Sequence, residues 1–220
     1  MRRLFQRNGL SIVLITLFLV SLTAQSIAGH RHYNQEQQEH QQPKVTYLEY
    51  VSGSHFLEAT MENWESEFLQ MFFFIVLTVF LYQKGSAESK DPDKEEEVDQ
   101  DSLKAKTKNS PSPVKKGGWR LKLYEHSLSL TFLTLFLVSL FLHAKGGAAD
   151  YNEEQAAHGG AEFLTTIEYM ATSRFWFESF QNWQSEFLAV GLMVVLTVFL
   201  REKGSKESKP VATPHDEHGE

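Results

Sequence analysis

Four blocks of this chain are long, apolar and almost free of charge, and no other feature limits its folding as strongly. Gly9 to Ala28 is a run of about 20 residues whose only polar side chains are Ser, Thr and one Gln. At 1.5 Å of rise per residue it covers a hydrocarbon core of about 30 Å. The other blocks are Phe68 to Tyr82, about Leu123 to His143, and Phe187 to Leu200. The chain is therefore read as an all-α integral membrane protein with four transmembrane helices, at about 9–28, 64–82, 123–143 and 183–200. The second and fourth blocks are too short to cross alone. Each must borrow the preceding turn: Asn63, Trp64, Ser66 and Glu67 in one case, Asn182, Trp183, Ser185 and Glu186 in the other. Trp64 and Trp183 then fall where indole rings anchor a helix at the headgroups.

Whole-chain averages conceal this pattern, because 42% hydrophobic and 22% charged residues resemble an ordinary soluble protein. The charges lie between the blocks. There is no Cys, which removes disulfides, thiolate metal sites, iron–sulfur clusters and Cys nucleophiles. A pI near 5.7 and a net charge of -7 argue against a nucleic-acid partner, and the lipid bilayer is the first partner expected. Arg2, Arg3 and Arg7 ahead of the first block, with Ala24-Gln25-Ser26 near its end, have the outline of a cleavable signal, faintly of the twin-arginine kind. The same apolar pattern recurs deep inside the chain as the third block, so the first block is expected to stay as a span.

Of 21 Lys and Arg residues, 17 lie before the first block, between the second and third, or after the fourth. The positive-inside bias places both termini and the central linker in the cytoplasm, and two acidic loops outside. Residues 16–22 (TLFLVSL) recur at 134–140, Tyr33-Asn34 recurs as Tyr151-Asn152, and N-W-x-S-E-F-L at Asn63 recurs at Asn182. L-T-V-F-L and K-G-S-x-E-S-K also occur twice, from Leu77 and Lys84 and again from Leu196 and Lys203. These identities predict a tandem duplication. Two spans per copy give two helical hairpins of one orientation, a parallel repeat. The predicted layout is a first two-span repeat at 1–90, a disordered cytoplasmic linker at 91–118, a second repeat at 119–209 and a cytoplasmic tail at 210–220.

Hairpins bring the end of one span beside the start of the next, so a polar site is expected at the outer ends. Asn63, Ser66, Glu67 and Gln70 lie on one helical face, with Asn182, Ser185 and Glu186 as counterparts and His30 and His143 nearby. Glu67 and Glu186 stand about one turn inside the apolar boundary, where a carboxylate serves a proton, a cation or a substrate amine, or rests at the headgroup level as a cap. Six of nine His residues fall in the outer loops, but His30-Arg31-His32 lacks the spacing of a helical metal pair and no H-E-x-x-H is present. No metal site and no cofactor are expected from spacing, although a pH-responsive His cluster remains open.

A-G-H-R-x-Y-N-x-E-Q at Ala28 to Gln37, the N-W-x-S-E-F-L block and L-T-V-F-L followed by K-G-S-x-E-S-K carry a resemblance. The chain resembles a family of uncharacterised bacterial multi-span inner-membrane proteins, catalogued as a domain of unknown function, in which two copies are usual. The resemblance implies an inner-membrane location and this topology, and no reaction. In the second copy Ala144 to Asp150 replaces the first motif, so no role of His30 or Arg31 is duplicated.

No catalytic constellation is visible. The leading expectation is a non-enzymatic envelope protein with a structural or accessory role, partnered by lipid and by copies of itself or another membrane protein. A small cation- or proton-coupled transporter or channel using Glu67 and Glu186 is the alternative. A membrane enzyme on lipid or quinone, with His30 or His143 as base, ranks last.

Overall fold

Sequence stretches rich in Gln, Glu, Leu and Ala with no internal Pro favour helix, and here they run on beyond the apolar blocks. The computed structural model describes residues 2–218; Met1, Gly219, Glu220 and the side chain of Arg2, at the ends of the first repeat and the tail, lie outside the described residues. Helix α1 spans Arg2–Glu39, kinked at Asn8, and so carries the first span straight through the motif at Ala28 to Gln37. A short α2 (Tyr47–Val51) precedes α3 (Ser54–Leu77). After the linker, with a 3₁₀ turn at Glu97–Asp99 and α4 at Ser112–Lys116, come α5 (Gly118–Glu125) and α6 (Ser127–Ala157). The third span read at 123–143 is thus broken at His126. Another short helix, α7 (Thr166–Met170), precedes α8 (Ser173–Phe199). The described chain is all-α.

Among the described residues, three helices are long and apolar enough to cross a membrane: Arg3–Glu39, Ser127–Ala157 and Ser173–Phe199. Helix α3 is not among them. It carries Glu58, Glu62, Glu65 and Glu67 and ends at Leu77, so the span read at 64–82 lacks a helical end. Its uncharged part, residues 68–77, would cover only about 15 Å.

Exposure runs opposite to that of a water-soluble protein. Leu10 is 76% exposed and Val20 61%, whereas Glu65, His143 and Ser179 are completely buried. Water would oppose such a surface, while lipid tails favour it. The protein has membrane character.

The chain divides into two compact units, Met1–Met61 with Phe141–Phe175, and Glu62–Leu140 with Trp176–Glu220. In the first, the same local device appears twice. Asn34 Nδ2 donates to the Val45 carbonyl (3.0 Å) and Asn34 Oδ1 accepts the Val45 N–H (2.8 Å). Asn152 clasps Leu164 in the same way, at 2.9 and 2.8 Å. One residue past each clasp, Thr46 and Thr165 form capping boxes with Glu49 and Glu168 and so start α2 and α7. The Thr46 and Thr165 backbone N–H groups hold both carboxyls below the usual carboxylate range. Each short helix then buries a tyrosine, Tyr50 or Tyr169. The tyrosines lie against Gly29 and Gly147, where no Cβ would fit.

In the second unit, aromatic pairs join the helices: Phe68 with Phe132, and Phe73 with Phe187. Both K-G-S-x-E-S-K segments fold alike. Ser89 Oγ accepts the Gln83 N–H (2.8 Å) and Ser208 Oγ the Glu202 N–H (2.9 Å). Gly85 and Gly204 turn the chain with φ of 79° and 90°. The Lys209 ammonium is buried and donates to the carbonyls of Pro214, His215 and Glu217 at 3.0, 3.1 and 2.8 Å. His218 Nε2 accepts the Gly85 N–H (2.9 Å), so the tail lies folded over the first segment.

Burial and the neighbouring Glu207 carboxylate push the Glu88 carboxyl above its usual range. The folded segment therefore binds this proton more tightly than the unfolded chain does. Its contribution to stability is full below the ordinary carboxylate range and is lost as pH rises from that range through the raised value. Replacing Glu207→Gln should flatten that dependence and, because the pair is partly exposed to solvent, stabilise the tail at pH 7 by about 0.5 kcal/mol. Hydrogen exchange of residues 205–210 across pH 4 to 8 checks this; an unchanged pH profile in the variant would contradict it.

Candidate functional site

In the first unit, small residues on α6 let α3 come close. A Cβ at Gly146 would lie 2.7 Å from the Glu58 backbone nitrogen, and Ala144 and Ala148 beside it are buried. The stretch Ala144 to Asp150, read from sequence as a decayed motif, thus serves as a smooth track for a neighbouring backbone. It holds Glu58 in the interior. His143 lies one turn earlier on α6, fully buried, with its ring 4.8 Å from that of Phe175. The ligand atoms of Glu58 and His143 lie within 4.8 Å of one another.

Glu58 has further partners. The Tyr169 hydroxyl donates to Glu58 Oε1 at 3.3 Å. The Asp150 carboxyl lies beside that of Glu58. Arg174 pairs with Asp150 (3.7 Å) and Glu154 (2.9 Å). A buried carboxylate, an imidazole and a phenol converge here. Chemically such a set holds a proton or a metal cation, the carboxylate supplying charge and the imidazole a nitrogen donor. Glu178 follows Phe175 by three residues on α8 and so shares its helical face.

Beside this cluster is a cavity of about 660 Å³, lined by Tyr33, Glu36, His40, His55, Asp150, His158 and Arg174 among others. His40 and His158 meet edge to face, ring centres 5.1 Å apart. His55 packs against Tyr33 and Tyr50, at 5.1 and 5.9 Å.

The residues singled out from sequence are distributed over both units. His143 belongs to the buried cluster. His30 is a loop anchor, its Nε2 2.9 Å from the Val45 carbonyl and 2.8 Å from Asn34 Nδ2. The others lie in the second unit. Glu67 and Asn63 are exposed, while Ser66 and Gln70 are buried, so the polar stripe turns only half its members inward. Glu67 and Glu186 lie near each other. Asn182 donates to Glu62, and Ser185 bonds the Asn182 carbonyl at 2.8 Å. Trp64 packs on Phe68. Trp183 lies against Phe136, Trp176 and Phe180 and donates from Nε1 to the fully buried Glu65 (3.2 Å), so this indole is held by protein groups.

Sequence reasoning missed Glu58, Glu65, Asp150 and Tyr169. The spacing of Glu58, Glu62 and Glu65 at i, i+4 and i+7 does mark one acidic helical face. No sequence signal pairs Glu58 with His143.

The whole chain, residues 1–220, matches a family described as a domain of unknown function (DUF6766). The chain belongs to that family. No curated protein and no solved structure matches it.

The close approach at Gly146 gives a direct test. Gly146→Ala pushes a Cβ into the α3 backbone and should destabilise the protein by about 1–3 kcal/mol. Gly191→Ala, where a Cβ meets nothing within 4 Å, should stay within about 0.5 kcal/mol of the parent. Thermal unfolding in detergent compares them; equal effects would contradict the close packing of α3 on α6.

Proposed function

We propose that this protein binds and moves a cation across or into the membrane, as a small transporter or channel, with Glu58 and His143 as its cation site. One observation carries the reading: a buried carboxylate and a buried imidazole, from helices far apart in sequence, bring their ligand atoms within 4.8 Å of one another. Ionisable groups are expensive in an apolar setting and are kept there for use. The site differs from the Glu67 and Glu186 pair favoured on sequence because Glu67 is exposed. That pair stays as a second carboxyl contact in the other unit.

In this reading the chain is a tandem duplication of two-span hairpins in a bacterial inner membrane, with the apolar run on to Tyr82 completing the crossing that the short uncharged part of α3 does not make alone. Its termini and linker are cytoplasmic, as the distribution of Lys and Arg supports. The protein works by binding and passage rather than by enzymatic turnover. The apolar exposed length of α1 also favours a second reading, in which the protein is a structural or accessory partner whose helices pack against copies of itself or another membrane protein.

Reconstitution into liposomes separates the two. With proton, sodium and divalent-cation gradients imposed in turn, the parent protein should carry at least one flux above protein-free vesicles. Glu58→Gln and His143→Ala should each lower it at least about tenfold without loss of helicity. A parent protein that carries none of these fluxes, or variants that carry them unchanged, would overturn the proposal.

A further inference from the structure

We infer that the cavity of the first unit is a loading vestibule for a divalent transition-metal cation of the zinc type, which passes by way of His55 and Asp150 to Glu58 and His143. The inference rests on the proposed cation site and adds the class of cation and the path by which it arrives.

The chemistry of the wall selects the class. His40, His55 and His158 line the cavity together with Asp150 and Glu154. Imidazole mixed with carboxylate suits zinc-like ions, whereas magnesium and calcium favour oxygen donors throughout. Histidines too far apart in sequence to form a motif are thus gathered around one space. His40 and His158 are both exposed, with ring centres 5.1 Å apart.

A second observation points to an occupant. His55 Nδ1 is buried without a hydrogen-bond partner among the described residues. An imidazole nitrogen withdrawn from water in that way is unfavourable, and a bound cation would satisfy it. Tyr33 and Tyr50 fix the ring, so the nitrogen does not swing out to solvent.

Asp150 supplies the connection. It lines the cavity and lies beside Glu58, so a single carboxylate borders both the open space and the buried site. Arg174 is the fixed cation among the lining residues, and Asp150 and Glu154 neutralise it. Incoming positive charge therefore meets a wall that is acidic on balance, with Glu36 and Glu153 adding to it.

The test uses the full chain in detergent and then in liposomes. Calorimetric titration with Zn²⁺ in excess Mg²⁺ should show binding, weakened at least about tenfold by His55→Ala. Because His55 is packed between tyrosines, the double variant His40→Ala/His158→Ala, at exposed positions, provides a measurement that leaves the interior untouched. It should slow zinc uptake by a comparable factor. Glu58→Gln should retain zinc binding in the vestibule and lose uptake. Absence of zinc binding by the parent, or binding unchanged in both histidine variants, would overturn the inference. A Glu58-dependent proton or sodium flux in that same preparation would leave the proposed function standing.

Discussion

A hydrocarbon solvent leaves a polypeptide no partner for its backbone, so every N–H and C=O within it must be bonded inside the chain. Long continuous helices follow, and α1, α6 and α8 meet that requirement. The same solvent reverses the usual sorting of side chains. Leucines and valines turn outward, and the interior is left to groups that need one another: Glu58 with Tyr169 and Asp150, Glu65 with Trp183, Ser86 with Thr197. Packing between helices then depends on small residues and hydrogen bonds rather than on apolar burial. Gly146 and Gly147 show this most directly, one admitting a backbone and the other a tyrosine ring.

That arrangement gives the buried groups their chemical character. A carboxyl within reach of an imidazole, with a phenol donating to it, is held in place by packing before anything binds. The Phe175 ring against His143 and the α6 track against Glu58 fix both donors. Preformed sites of this kind lose little on binding, because the ordering has already been done by the fold. The tail segment shows the opposite economy. Lys209 satisfies three carbonyls of its own tail and so folds it chiefly by polar contacts.

Much of the helical framework was legible in the sequence, because charge-free runs of span length have few alternatives in water. The apolar run at Phe68 to Tyr82 was the least legible, since its helix draws half its length from the acidic stretch before it and stops at Leu77. Helix ends were harder. Gln35 to Glu39 reads as loop by polarity, yet it consists of good helix formers and α1 continues through it. Thr46 with Glu49 and Thr165 with Glu168 are capping boxes visible in the letters alone. The recurring Asn34 and Asn152 were legible as repeated residues, but their clasp on the following loop was not. The site itself was half legible. His143 stood out beside the apolar block, while Glu58 lies 85 residues away with no periodicity connecting them, so only the folded chain brings the two together.

The apolar faces meet lipid and the polar groups lie inside. The absence of Cys makes every introduced one a unique reporter. Spin labels at Leu17, Val20, Val138 and Leu192, all exposed in the structure, can be compared in lipid for collision with dissolved oxygen and with a water-soluble nickel chelate. The account predicts high oxygen and low chelate accessibility at all four positions. Chelate accessibility equal to that of oxygen at these positions would place the helices in water and contradict it.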